Sequence, residues 1–363
     1  MQVCVIGAGV AGALLSWRLA QLPEVERVLL APGPATPADA TAVSGGAVRA
    51  FEISAEQRSL AIESMAELVS DPRMRDWAGF VECGSVYLPA DPAPLPVAMA
   101  EIEAGLPGSA ALLDAAELTR RGWAGLDSSV VGLLEAQAGY LSPQRLRQSV
   151  LADLVPRAGV ELLPDGAVTE LQANSFSLAG ERYHFDRVVL AAGAWTGQLL
   201  REHGYDATGL RTKRIQYTVH QASGALSTTF VDDLTDLFGK PTPDGVLLGL
   251  PTAAWDVPPA GGEPDLELSR TAAAVAERRF PGLRLRSAAR PVTAVDCYAA
   301  DGLLSLRPVS GTDDRLFTFT GGTGSAAKTV LAASRRAANQ LVESCRNRLE
   351  PQPTLIGRSA QPS

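Results

Sequence analysis

Histidine and cysteine are scarce in this chain of 363 residues, which has three histidines and four cysteines. The cysteines are far apart and form no C-x-x-C pair. Such a sequence supports neither a structural zinc site nor a disulfide framework, so we expect no metal centre and a reducing compartment.

Positive charge and long apolar runs are also in short supply. Lys and Arg number 32 against 40 Asp and Glu, a formal charge of −8, so no nucleic-acid partner is expected. The longest apolar-rich stretch, residues 188–200, is interrupted and shorter than the roughly 20 residues of a membrane span. The six residues before Gly7 are too few for a signal peptide. We therefore expect a cytoplasmic protein with no membrane partner.

Apolar residues occur in ordinary amounts, at 46% of the chain against 20% charged residues. This composition is typical of a globular protein, and the length predicts about two domains.

The two ends of the chain share one pattern. An apolar strand at residues 3–6 turns at Gly7 into a helical segment that ends near residue 22, and a second strand follows at residues 27–31. At the other end, the strand RLFTFT leads through the turn GGTG into a helix from about residue 325 to 345. This order predicts βαβ units and a parallel sheet.

The middle of the chain is more varied. Ser54 with Gln57 forms a capping box, and Ser142-Pro143 is a second helix-start signal. Residues 89–107 have the composition of a loop, and residues 185–195 (FDRVVLAAGAW) predict one continuous buried strand. Residues 210–295 predict an antiparallel sheet with insertions.

Residues 7–12, GAGVAG, fit the pattern G-x-G-x-x-G after a strand and at the start of a helix. Gly7 permits the tight turn, Gly9 lets the backbone approach a pyrophosphate, and Gly12 allows close helix packing. The helix N-terminus adds N–H donors and a positive dipole end. This context favours a bound dinucleotide, although glycines that only shape a tight crossover would give the same pattern.

The acidic residue that usually follows the second strand and accepts from the adenosine ribose is missing, and Ala31 stands in its place. A cofactor with a ribose phosphate would explain this, but no arginine follows Ala31 closely enough to hold one. Water or a group in the loop 36–41 could instead replace the carboxylate. We favour this second explanation.

Seven segments follow one another over nearly the whole chain: GAGVAG, SGGAVR, GSVYL, GYLSPQRL, RVVLAAGAW, DGVLLGLP and FTGGTGSAAK. In this order and spacing they resemble the FAD-dependent amine oxidases of the D-amino-acid oxidase, glycine oxidase and sarcosine oxidase family. Each segment alone would be common, so the order carries the resemblance.

The resemblance implies an α/β fold in two parts. One part is a discontinuous, doubly wound, Rossmann-like FAD-binding domain of residues 1–80, 142–209 and 296–350. The other is an α+β substrate domain built on an antiparallel sheet, from residues 81–141 and 210–295. Residues 351–363 are expected to form a loose tail.

The resemblance also implies a reaction. A small-molecule amine, either a secondary amine or an N-substituted glycine or amino acid, would be oxidised by hydride transfer to flavin N5. The imine would hydrolyse, and O2 would be reduced to H2O2. Two alternatives stay open: a flavin-dependent amine or imino acid dehydrogenase with another electron acceptor, and a non-enzymatic nucleotide-binding protein. The oligomeric state is not predicted.

Two cations are the catalytic candidates. Arg49 matches an arginine that sarcosine oxidase relatives place near the flavin ring, with a surface arginine as the alternative. Lys328 matches a lysine with which those relatives hold a carboxylate, and a nearby anion would explain a cation in a first helical turn. Where the relatives carry a second arginine for the substrate carboxylate, this chain has Glu52. The exchange argues against an amino acid held in the usual way.

Cys297 lies where some relatives attach the flavin covalently, but there one residue separates the cysteine from a tyrosine, whereas Cys297 and Tyr298 are adjacent. A half-buried strand cysteine is the alternative. Tyr217, Trp255 and Tyr298 are candidate walls of the substrate pocket, although such aromatics more often belong to the core. The oxygen-activating lysine of the relatives has no counterpart after GLP, and Lys240 precedes that motif.

The predicted cofactor contacts lie within the matching segments. They are Gly7, Ala8, Gly9, Val10, Ala11, Gly12, Ser44, Gly45, Gly46, Arg49, Val168, Ala192, Gly193, Trp195, Gly322, Thr323, Gly324, Ser325 and Lys328.

Overall fold

A computed structural model describes residues 1–34, 39–224, 226–324 and 326–349. Its strands are β1 (Gln2–Ile6), β2 (Arg27–Ala31), β3 (Ala47–Val48), β4 (Val81–Glu82), β5 (Ser85–Leu88), β6 (Ala110–Asp114), β7 (Val131–Glu135), β8 (Gly139–Tyr140), β9 (Val160–Leu162), β10 (Ser175–Leu178), β11 (Glu181–His184), β12 (Arg187–Leu190), β13 (Leu210–Ser223), β14 (Thr229–Asp232), β15 (Leu237–Thr242), β16 (Gly245–Gly249), β17 (Arg284–Ala299), β18 (Leu304–Pro308) and β19 (Leu316–Gly321). Its helices are α1 (Val10–Leu19), α2 (Ala40–Val43), α3 (Ala55–Ser70), α4 (Pro72–Ala78), α5 (Leu95–Gly105), α6 (Ala115–Arg120), α7 (Pro143–Leu154), α8 (Thr196–Glu202), α9 (Leu266–Arg279) and α10 (Ala326–Leu349).

The base sheet, as we call it, has six strands in the order β18-β19-β12-β1-β2-β9. Its neighbours run parallel except for β18, which pairs antiparallel with β19. Strands β1, β12 and β19 are buried along their whole length or nearly so, because both faces of the sheet are covered. The sheet is thus assembled from segments that are far apart in the chain.

Each face of the base sheet has its own core. On one face, α1 and α10 bury Leu14, Trp17 and Leu331 in a cluster with Val3 of β1. On the other face, Ile6 and its neighbours pack with residues of the β10-β11 hairpin and α8. The alternation of side chains along β1 sends successive residues into these two cores.

The roof sheet, as we call it, has eight strands in the order β17-β13-β16-β15-β14-β5-β7-β6. Its neighbours are antiparallel except for the parallel pair β14 and β5. The long strands β13 and β17 pair from Leu210 opposite Ala299 to Ser223 opposite Arg284. Ala272 and Ala276 of α9 pack on one face of this sheet. The predicted α/β class, with a parallel and an antiparallel sheet, is confirmed, whereas the domain bounds stay a prediction.

The loop predicted for residues 89–107 is wrong, because most of it is the helix α5. Leu95, Ala98 and Ile102 recur at helical spacing and are buried. Pro94 and Pro96 lie at the start of the helix, where a missing N–H costs no hydrogen bond. The prolines therefore mark a helix start rather than a loop.

The continuous strand predicted for residues 185–195 is wrong beyond Leu190, where β12 ends. Gly193 adopts a φ of 54°, and the Trp195 N–H donates to the Ala192 carbonyl at 3.1 Å in a 3₁₀ turn. Because β12 and β1 are parallel and in register at their ends, this turn lies at the edge where β1 also ends. The apolar run thus supplies a turn as well as a strand.

Two smaller differences concern the chain ends and the region after β2. The last helix begins and ends later than predicted, at Ala326 and Leu349, and the predicted tail lies outside the described residues. A short helix, α2, follows Asp39.

Within the described ranges, no helix has the length and hydropathy of a membrane span.

The buried ion pair that anchors α9 to the roof sheet gives a stability prediction. Arg279 donates to Asp232 Oδ2 at 2.8 Å and also to two backbone carbonyls, and both side chains are almost fully buried. We expect Arg279→Met to lower the free energy of unfolding by about 3–5 kcal/mol, because the carboxylate of Asp232 loses its buried cation.

Urea unfolding followed by circular dichroism measures the change. The neighbouring Arg278 is exposed and provides the matched control, since Arg278→Met should change stability by less than about 0.5 kcal/mol. Equal losses in the two variants would contradict the assignment.

Candidate active site

The glycine turn between β1 and α1 brings three backbone segments together. A Cβ at Gly7, where φ is +112°, would lie 2.4 Å from the Ala191 carbonyl oxygen. A Cβ at Gly12 would lie 1.9 Å from the carbonyl oxygen of Gly7. Glycine is therefore required at both positions for α1 and the end of β12 to approach the turn.

The first turn of α1 faces the loop after β2. The Val10 N–H donates to Thr41 Oγ1 at 3.1 Å, and a Cβ at Gly9 would lie 3.3 Å from that oxygen. The N-terminus of α1 has no side-chain cap of its own at Gly9. Gly9, Val10 and Ala11 of this N-terminus line the space between the turn and this loop.

A cavity of about 1160 Å³ extends from the glycine turn to the roof sheet. It passes the loop after β2, the start of α7 and the turn after β12, and it ends between β13, β16, β17 and the start of α10. Small-molecule pockets typically measure roughly 300 to 1000 Å³. The cavity is thus large enough for an extended ligand beside a second, smaller one.

An acidic group lines the cavity near the end of β2, although Ala31 itself is a buried apolar residue. Asp39 accepts from the Ala42 N–H at 2.8 Å and forms an ion pair with Arg147 at 2.8 Å. Asp39 belongs to the loop in which we expect a substitute for the missing carboxylate. Residues 35–38 of that loop lie outside the described residues.

A cluster of charged side chains lies deeper in the cavity. Lys328 Nζ donates to Glu52 Oε1, and Arg49 Nη2 lies 3.4 Å from the same oxygen. All three residues line the cavity, and the exposed fraction of each side chain is 11% or less. Glu52 is therefore the anion that pairs with Lys328, the cation in the first turn of α10.

The backbone that carries Arg49 and Glu52 is fixed by a buried carboxylate. Glu135, at the end of β7, accepts from the N–H groups of Ala50 and Phe51 at 2.7 and 2.9 Å. The Arg49 guanidinium lies over the Tyr87 ring, with 4.9 Å from Cζ to the ring centroid. The roof sheet therefore sets the position of the cluster.

The electrostatics of the cluster follow from burial and mutual attraction. Burial opposes the charge on Glu52, but Lys328 and Arg49 outweigh it and hold the pKa of this carboxyl below its usual value. Burial, together with the charge of Arg49, lowers the pKa of Lys328 to about 8. Burial also raises the pKa of Glu135, against the effect of its two backbone donors.

Two tyrosines of the roof sheet approach backbone segments outside that sheet. The Tyr217 hydroxyl donates to the Val43 carbonyl at 2.5 Å, which joins β13 to the end of α2. Tyr298 packs edge-on against Trp255, with 5.0 Å between ring centroids, and a Cβ at Gly324 would lie 2.7 Å from its hydroxyl. Tyr217 and Tyr298 line the cavity.

Asp296 is a further carboxyl group on the cavity wall. Burial raises its pKa to about 6. It lies opposite Lys213 in the β13-β17 ladder, but the Lys213 ammonium sits over the Trp255 ring, 4.7 Å from the centroid. Within the described part of the chain, Asp296 has no ion-pair partner within 4.0 Å.

Lys240 lines the cavity from β15, opposite Leu247 of β16. Its ammonium lies 4.1 Å from the centroid of the Tyr140 ring. Burial lowers its pKa to about 8. Among the described residues no carboxylate pairs with it, so it is a cation held by an aromatic face alone.

Cys297 lines the cavity from β17, and it is buried. Because side chains alternate along a strand, Cys297 faces the side opposite to Asp296 and Tyr298. Burial raises the pKa of its thiol, against a hydrogen bond with Thr320, which favours the unreactive thiol over the thiolate.

The cavity brings together most of the residues predicted as cofactor contacts. The lining includes Gly7, Ala8, Gly9, Val10, Ala11, Ser44, Gly45, Gly46, Arg49, Val168, Ala192, Gly193, Trp195, Thr323, Gly324 and Lys328. Gly12 and Gly322 are outside the lining, and so is Trp255, which is 39% exposed. Ser325 lies outside the described residues. The roles of all these residues stay predictions.

Sequence reasoning missed several groups of the site. The sequence places Lys240 before the GLP motif, and what brings it to the site is its pairing with Leu247 of the segment DGVLLGLP, on the same face of the hairpin. Asp296 had a usable signal, because it is two residues before Tyr298 on a strand. The role of Glu135 had no local signal, because its partners are more than 80 residues away in the chain.

A family model described as "DAO: FAD dependent oxidoreductase" matches residues 2–340 of the chain. No curated relative matches the sequence.

Solved structures share the fold. Glycine oxidase from Geobacillus kaustophilus is 19% identical, with a TM-score of 0.71 and 94% of each chain covered. NikD, described as an unusual amino acid oxidase essential for nikkomycin biosynthesis, is 20% identical in a mutant form, with a TM-score of 0.71 and 99% of each chain covered. L-proline dehydrogenase from P. horikoshii is 14% identical, with a TM-score of 0.71, covering 94% of this chain and 93% of that one.

The lowered pKa of Lys240 predicts a pH-dependent stability. Between pH 8 and about 10.5 the unfolded chain keeps a proton on this lysine that the folded chain has released. The free energy of unfolding of the wild type should therefore rise with pH relative to Lys240→Met. Over that range we expect a relative gain on the order of 1–2 kcal/mol, allowing for partial exposure.

Denaturant unfolding at pH 7, 8, 9 and 10 gives the comparison. Lys240→Arg is the matched control, since arginine keeps its charge throughout this range and should show no such gain. Parallel pH profiles of the wild type and Lys240→Met would contradict the lowered pKa.

Proposed function

Because the chain belongs to the DAO family of FAD-dependent oxidoreductases, we propose that it oxidises a small amine, with FAD as the hydride acceptor and O2 as the final electron acceptor. The observation that carries the proposal is one continuous cavity. It joins a glycine turn suited to a diphosphate with a buried charge cluster beneath an antiparallel roof.

The residues of the cavity fit FAD at its diphosphate end. Gly7 and Gly12 are required by close backbone approach, and the N-terminus of α1, which has no cap from Gly9 itself, lines the cavity. N–H donors and a positive helix end are what a diphosphate requires. Asp39 and Arg147 would hold the adenosine part, with Asp39 in place of the carboxylate that Ala31 lacks.

The other end of the cavity fits a redox ring. Once bound, FAD would supply the acceptor for a hydride from the carbon next to the amine nitrogen, and O2 would return it to the oxidised state with formation of H2O2. Arg49 and Lys328 would contribute positive charge there, where negative charge develops during reduction. Glu135 would keep Arg49 in place through the backbone of residues 50 and 51.

The roof sheet would position the amine and exclude water from it. Tyr217 and Tyr298 form part of the wall, and Tyr217 closes the wall against the end of α2. Asp296 and Lys240 have pKa values of about 6 and about 8, so either group can exchange a proton with an amine near neutral pH.

We further propose that the cofactor is held without a covalent bond and that the chain divides into two domains as the sequence predicts. The thiol of Cys297 is buried and its pKa is raised, which disfavours the reactive thiolate. FAD should then appear in the supernatant when the protein is precipitated with acid.

The test of the proposed function is a panel of primary, secondary and N-substituted amines on the FAD-saturated protein. We expect at least one amine to bleach the visible flavin band without oxygen, and admission of air to restore the band with stoichiometric H2O2. Slow recovery without peroxide would support a dehydrogenase instead. A colourless protein that rejects FAD would overturn the proposal.

A further inference from the structure

We propose that the substrate is an amine without a carboxylate, because Glu52 acts as an internal carboxylate that occupies the cations of the site. The inference rests on the proposed function and narrows its substrate class.

The first support is the buried contact between Glu52 and both cations. One carboxylate oxygen, Oε1, accepts from Lys328 and lies 3.4 Å from Arg49 Nη2. The Glu52 side chain is 10% exposed, and that of Lys328 is 6% exposed. A carboxylate from a substrate would have to displace Glu52 to reach Lys328.

The second support is the number of acidic groups that already lie around the two cations. Arg49 and Lys328 contribute two positive charges, and Glu52 removes one. The second carboxyl of the region, Glu135, is fully buried beside them. A further carboxylate would place a third acidic group in a poorly hydrated site, where like charges disfavour each other strongly.

The third support is that the backbone of Glu52 is held on both sides. Arg58, which is buried, donates to the Glu52 carbonyl at 2.7 Å. Glu135 holds the two preceding N–H groups, and Ser54 caps the helix that begins directly afterwards. The backbone on both sides of Glu52 is therefore fixed, and only a change of side-chain rotamer could free Lys328.

Other cations of the cavity are less suited to a substrate carboxylate. The Lys213 ammonium sits over the Trp255 ring, and Lys240 has a lowered pKa and covers the Tyr140 ring. Arg214 reaches towards Gly262, where an added Cβ would meet its guanidinium at 2.8 Å. Lys240 is the most accessible rival and is included in the test.

The experiment first compares matched pairs that differ only in a carboxylate: pyrrolidine with proline, and dimethylamine with N-methylglycine. Calorimetric titration of the FAD-loaded wild type with acetate and benzoate measures carboxylate binding without any turnover. We expect the amine of each pair to reduce the flavin faster than its carboxylated partner. We also expect no detectable binding of acetate or benzoate.

Variants identify the group that is responsible. In Glu52→Gln, Lys328 and Arg49 are free to bind a carboxylate, so benzoate should bind with a measurable Kd that lies roughly tenfold or more below the highest benzoate concentration at which the wild type shows no binding. The gain should disappear in Glu52→Gln/Lys328→Met and persist in Glu52→Gln/Lys240→Met. Glu63→Gln, on α3 and outside the cavity lining, removes a carboxylate that pairs with Arg335 and Arg336 of α10, so it is the matched control and should bind no more than the wild type.

Three results would overturn the inference: benzoate binding by the wild type as tight as by Glu52→Gln, no gain in Glu52→Gln, or faster reduction by proline and N-methylglycine. The wild-type measurements decide the question even if Glu52→Gln does not fold. If no amine of any kind reduces the flavin, the proposed function fails, while the benzoate titrations still test the role of Glu52.

Discussion

An ammonium and a guanidinium can be buried side by side only if a carboxylate lies between them, because each unpaired charge in a protein interior costs several kcal/mol. Lys328, Glu52 and Arg49 form such an arrangement. Glu52 and Lys328 are 276 residues apart in the chain, so the contact exists only when α10 and the segment before α3 are both in place. All three residues line the cavity.

The same constraint connects the two sheets. Arg49 and Glu52 follow β3, their backbone is held by Glu135 of the roof sheet, and Lys328 stands in the first turn of the helix that follows β19 of the base sheet. A ligand that extends from the glycine turn to the roof therefore meets a cluster in which Glu52 already pairs with Lys328 and lies 3.4 Å from Arg49. Under the proposed function, this pairing would favour an amine without a carboxylate over an amino acid.

The sequence was informative where structure is local. The strand, Gly7, and the helix after it could be predicted because the turn requires glycine at fixed spacing, and Ser54 and Ser142 mark helix starts through their own side chains. The prediction failed for α5, where prolines at a helix start resemble a loop. The sequence also could not show that Lys328 donates to Glu52, because the two residues are 276 positions apart and their contact depends on how α10 packs against the segment before α3.

The most direct test of this account is a crystal structure of the FAD-loaded protein. The account predicts the diphosphate at the N-terminus of α1 and the isoalloxazine ring beside Arg49, with Glu52 still bonded to Lys328. An isoalloxazine ring far from this cluster, or Lys328 turned away from Glu52 towards another carboxylate, would contradict it.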